Sequence, residues 1–108
     1  MIGRKSLYGL WCLLLSSCTN APEKAAPKAY TVEIKQMKFQ PAMINVQKGD
    51  TVIFVNEDMV AHNITEESNT AWSSSPLSTG KTWRFVAMQS ANYYCTIHPV
   101  MKGKLFVN

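Results

Sequence analysis

Histidine is scarce in this chain, and cysteine is scarce in most of it. His62 and His98 are the two histidines, and beyond residue 18 the one cysteine is Cys95. A single thiol excludes a disulfide within the body of the chain, so no covalent staple organises it. Two histidines leave none over for a cluster of catalytic bases or for several metal centres. No Lys/Arg stretch interleaved with aromatics occurs, so the usual footprint of a nucleic-acid binder is missing. The apolar run Leu7–Leu15 is broken by Tyr8, Gly9, Trp11 and Cys12 and is too short to cross a bilayer comfortably as a helix. No long helical period and no internal repeat appear, which argues against a bundle or a solenoid.

What is present fits one small domain behind a leader. The chain has 108 residues, 46% of them hydrophobic, enough for a modest core. Arg4 and Lys5, then the apolar run, then small residues read as an export signal over residues 1–17. Leu15-Ser16-Ser17-Cys18 resembles a bacterial lipoprotein box, in which the cysteine becomes the new N-terminus and is lipidated. That would hold the protein at a membrane without a transmembrane helix. Residues 18–29 then form a flexible Ala/Pro/Lys tether: Pro22 and Pro27 discourage helix and nothing in it offers a face to bury. Removing the leader takes two of the eleven basic residues and leaves nine against seven acidic. Mild basicity of that size names no partner.

From Tyr30 to Asn108 the pattern is of short strands. Val32 and Ile34 alternate with Thr31, Glu33 and Lys35; Met37 and Phe39 continue after a phase shift that suggests a bulge. Met43–Val46 is a second strand, ended by Lys48-Gly49-Asp50, and Thr51–Val55 is a third, ended by Asn56-Glu57-Asp58. Ala61–Thr65 reads as a fourth, with Thr82–Val86, Ala91–Cys95 and Gly103–Val107 completing the set. Residues 66–75 are polar and irregular around Trp72. The expectation is an all-β, antiparallel sandwich of seven or eight strands.

Both histidines and the body cysteine fall where one metal centre would need them. Cys95, His98 and Met101 recur at every third position, and His62 stands apart on another strand. Each alone has an ordinary reading: a hydrogen-bonded histidine, a small buried thiol, a core methionine. Together, soft sulfur plus imidazole suits copper, and two His, one Cys and a weak axial Met make a blue electron-transfer site. Zinc is the rival, since Cys and two His with a water would hold it; the thioether of Met101 favours copper. Asn63 can bond across to Thr96 and offer its backbone N–H to the Cys95 sulfur, orienting the donors, or can simply cap a strand end.

Phe39-Gln40-Pro41, Gly49-Asp50-Thr51-Val52, Phe54-Val55-Asn56, His62-Asn63 and Tyr93 through Lys104 together resemble the cupredoxins, and among them the short-loop amicyanin–pseudoazurin type, by the Cys-x-x-His-x-x-Met spacing. The resemblance implies a Greek-key β-sandwich with one type 1 copper held by His62, Cys95, His98 and Met101. It implies an apolar electron-transfer patch around His98, with Pro99, Val100, Met59 and Val60. Ile97 and Val60-Ala61 depart from relatives that carry proline there. The function it implies is one-electron transport by a monomer in the bacterial envelope, periplasmic or outward-facing, docking redox proteins such as a cytochrome, dehydrogenase or reductase. It is not that of an enzyme. An envelope copper chaperone or store is the alternative, and an interaction module with no metal is the plainest reading.

Overall fold

The computed structural model describes residues 26–108. The leader, Cys18 and the first part of the tether lie outside the described residues. Among the described residues eight strands form: β1 Ala29–Lys35, β2 Lys38–Gln40, β3 Met43–Val46, β4 Thr51–Asn56, β5 Thr65–Glu66, β6 Thr82–Val86, β7 Ala91–Tyr94 and β8 Lys102–Val107. They build two four-stranded sheets, ordered β2-β1-β4-β6 and β3-β8-β7-β5. The alternation read in the sequence becomes the space between them. Val32, Ile34, Val52 and Phe54 turn inward from one sheet, and Ile44, Val46, Tyr93 and Leu105 from the other. Phe39 and Phe54 meet the Tyr93 ring edge-on, with centroids 5.0 and 5.4 Å away.

The sheets are mixed rather than purely antiparallel, because β1 pairs parallel to β4 and β3 parallel to β8. The chain leaves β2 for the other sheet as β3 and returns beside β1, so β4 arrives in the same direction. The phase shift at Met37 is a hairpin, not a bulge. Gln36 and Met37 form a two-residue turn with φ of 55° and 57°, and Lys35 pairs with Lys38 across it.

Ala61–Thr65 does not form the expected strand. His62 makes one isolated bridge, to Leu77. The next N–H groups go elsewhere: Asn63 N–H to the Cys95 sulfur at 3.4 Å and Ile64 N–H to Ser74 Oγ at 3.0 Å. The polar stretch that follows is organised by the buried Glu66. Its carboxylate accepts hydrogen bonds from the Ser68 hydroxyl and from the N–H groups of Asn69, Ala71 and Ser68. These lower its pKa to about 2.

The parallel β1–β4 register fixes two opposite ends. Ala29 lies beside Thr51, and Lys28 N–H donates to Asp50 Oδ1 at 2.9 Å. Asn108 joins that end through Lys48 N–H to the Asn108 carbonyl, 3.0 Å. At the other end of β4 stand Asn56 and the loop to His62, beside the β7–β8 loop that carries Cys95 and His98.

Candidate metal centre

Three donor atoms converge at that second end. Cys95 Sγ lies 3.7 Å from His62 Nδ1 and 3.9 Å from His98 Nδ1, and all three lie within 4.8 Å of one another. His62 and Cys95 are fully buried, while His98 is half-buried.

Each donor is placed by its own element. Cys95 follows directly on β7, and its N–H bonds the Met101 carbonyl at 3.1 Å just before β8. The loop is tightened further by Met101 N–H to the His98 carbonyl, 2.9 Å. This short closure turns His98 back toward the thiol. Met101 ends the loop, buried. His62 is fixed from another direction, by reciprocal backbone bonds with Leu77 at 3.2 and 2.7 Å.

Asn63 ties the two halves together. Its side chain donates to Thr96 Oγ1 at 2.6 Å and accepts from Thr96 N–H at 2.8 Å. Its own N–H points at the Cys95 sulfur. That contact orients the sulfur, the donor that a metal would meet here. Met59, Val60, Ile97, Pro99 and Val100 are all exposed around this end, Met59 at 91% and Val100 at 88%.

Two residues of the centre were given no role at it from the sequence, where Asn56-Glu57-Asp58 reads as a strand end and Asn56 otherwise only belongs to a stretch that carries the family resemblance. Asp58 Oδ2 lies 2.8 Å from His62 Nε2. With Nδ1 turned toward sulfur, Nε2 carries the hydrogen, so this bond sets the tautomer. Burial opposes the Asp58 charge, but N–H donors from Met37, His62 and Gln36 outweigh it and hold its pKa below the ordinary carboxylate value. Asn56, fully buried, donates to the carbonyls of Val60 and Leu77 at 2.9 and 2.8 Å and accepts from Asp58 N–H at 2.9 Å. The available signal was spacing: an acid four residues before a histidine in a loop.

The donor set, two imidazoles, one thiolate and a buried methionine on the same short loop, is one that copper accepts. The cupredoxin-like domain pattern matches residues 6–107. The chain belongs to the cupredoxin-like domain family. Among similar proteins, amicyanin-alpha of Methylorubrum extorquens is 29% identical over 100 residues, covering 87% of this chain and 84% of that protein. Amicyanin of Paracoccus denitrificans is 28% identical over 93 residues, covering 81% and 71%. A solved structure of a methionine-to-alanine amicyanin variant, Cu(I), superposes on this cupredoxin with a TM-score of 0.67 at 27% identity. The match covers 74% of this chain and 82% of that one.

Proposed function

We propose that this cupredoxin is a one-electron carrier of the bacterial envelope, with one type 1 copper held by His62, Cys95, His98 and Met101. The carrying observation is the convergence of two imidazole nitrogens and one thiol within 4.8 Å, with His98 the only one of the three that solvent reaches. Bound copper supplies the Cu(I)/Cu(II) couple. The chain's own residues do the rest. Asn63 and the Cys95–Met101 closure hold the thiolate, the Leu77 bridge holds His62, and the sandwich keeps water from both. His98 leads outward through the apolar patch of Met59, Val60, Ile97, Pro99 and Val100, where a redox protein docks. An apolar contact of this kind suits a brief encounter, since it needs no desolvation of charge.

Burial of His62, Cys95 and Met101 favours retention of the metal over its delivery, and so favours the carrier over a copper chaperone. Both histidines belong to the centre, which leaves none for a second metal or a catalytic base. The protein acts as a monomer tethered through lipid on Cys18, facing the periplasm or the outside.

Two results test this reading. Reconstitution with Cu(II) is expected to give an intense visible thiolate-to-metal charge-transfer band that Cys95→Ser abolishes; a colourless Cu(II) complex of the intact protein overturns the blue-copper assignment. Cys18→Ser is expected to move the protein from the membrane fraction to the soluble fraction, and retention in the membrane fraction overturns the tether.

A further inference from the structure

We infer that Asp58 is a positioning residue for the metal centre, and that through it the β1–β2 turn helps to set the orientation of His62. The inference rests on the copper reading above. One carboxylate collects three N–H donors: His62 Nε2 at 2.8 Å, Gln36 N at 2.7 Å and Met37 N at 3.1 Å. Its side chain is only 14% exposed. It is held in place from both sides, by Asp58 N–H to Asn56 Oδ1 and by the Thr79 hydroxyl donating to the Asp58 carbonyl at 2.6 Å.

The turn gives this arrangement its second half. Gln36 and Met37 both have positive φ, a region that favours Asn and Gly and costs other L-residues. Nothing in the Gln-Met dipeptide prefers that shape. The carboxylate receives both N–H groups of the turn, and the same oxygen that takes Met37 N–H takes the imidazole N–H. Turn and ligand are thus joined through one side chain, which lies 22 residues after Gln36 and four before His62.

The chemical consequence follows from charge. His62 is fixed along its backbone by Leu77, which leaves rotation of its ring; the bond at Nε2 removes that freedom and keeps Nδ1 toward the sulfur. A carboxylate on the far nitrogen also makes the imidazole a stronger donor and favours the more positive oxidation state.

The test separates the positioning role from support of the turn. Asp58→Asn keeps the shape and removes the charge. It is expected to lower Cu(II) affinity 10- to 100-fold in a chelator competition. It is also expected to shift the oxidised-to-reduced ratio about tenfold toward Cu(I), a rise of about 59 mV in reduction potential. The same substitution is then made in a Gln36→Asn, Met37→Gly background, whose turn needs no help. Folding stability is expected to recover there while the potential shift persists. Recovery of the potential together with stability, or unchanged potential and affinity in Asp58→Asn, overturns the positioning role. Nitrogen-15 NMR of the metal-free protein gives a readout independent of copper. It is expected to find His62 protonated at Nε2 in the native chain and a mixture of tautomers in Asp58→Asn; an Nδ1–H tautomer in the native chain overturns the inference. Failure of the copper reading is recognised separately, by a colourless Cu(II) complex of the unmutated protein.

Discussion

Gly103→Ala is expected to destabilise the domain by about 3 kcal/mol, at the upper end of ordinary overpacking costs. A Cβ at residue 103 would lie 2.3 Å from Tyr93 Cζ, 2.4 Å from Cε1 and 2.5 Å from the hydroxyl oxygen. Tyr93 and Gly103 are direct partners across β7 and β8, so neither strand can shift without the other. The ring has no room to retreat, being packed on Phe39 and Phe54. For a domain of this size each kcal/mol moves the melting temperature by about 4–8 °C, so thermal unfolding followed by circular dichroism reads the effect easily. The substitution also reaches the metal loop, because Tyr94 pairs with Lys102 and Cys95 N–H bonds Met101. Tyr93→Phe is the control. Its hydroxyl has no hydrogen-bond partner among the described residues, so removing it alone is expected to cost less than about 1 kcal/mol. It does not rescue Gly103→Ala, since Cζ remains. A melting temperature of Gly103→Ala within a degree or two of the native value would show that the strands yield.

Asn56→Ala is expected to be comparably severe, at about 3 kcal/mol, by a different route. It leaves the Val60 carbonyl and the Asp58 N–H without their side-chain partner, and takes from the buried Leu77 carbonyl one of its two donors, the other being the His62 N–H. Each such orphaned group costs about 1–3 kcal/mol, less whatever water recovers. Asn56→Asp is expected to be worse, because a carboxylate has no N–H for the two carbonyls and would bury a charge. Both changes loosen the two segments that present His62, so copper affinity is expected to fall along with stability. Urea denaturation and chelator competition on the same samples test this. A stable Asn56→Ala variant with native affinity would mean that the backbone bridge to Leu77 suffices to hold the ligand.

Part of this architecture was readable in the sequence and part was not. The alternation of Val32, Ile34, Val52 and Phe54 revealed strands, because a half-buried strand writes its two faces into neighbouring residues. It did not reveal their direction, since parallel and antiparallel neighbours share the same period; only the path of the chain through the second sheet decides that. The spacing of Cys95, His98 and Met101 was plain because one short loop carries all three. The contact between Asn63 and Thr96 was also within reach, since each directly follows a donor. Asp58 offered only its four-residue spacing from His62, because its other partners Gln36 and Met37 lie 22 and 21 residues upstream. For the same reason the turn at Gln36–Met37 passed for a bulge. A hairpin of that kind normally advertises itself with Asn-Gly, and here a carboxylate from another loop supplies what the dipeptide lacks. The strand expected at Ala61–Thr65 failed because local composition cannot tell that Asn63 and Ile64 will donate to a sulfur and a hydroxyl instead of to a neighbouring strand.

The chain enters the sandwich at Lys28, beside Asp50, at the end opposite His98. Six residues of β4 separate the two ends, about 20 Å of strand. With lipid on Cys18, residues 18–28 can reach at most about 40 Å. The anchoring point and the electron exit then never compete for the same surface. Under the proposed anchor the domain would hang from its far pole, and its search for a partner in the same membrane would become a local one, at an effective concentration set by the reach of residues 18–28 rather than by abundance in the compartment.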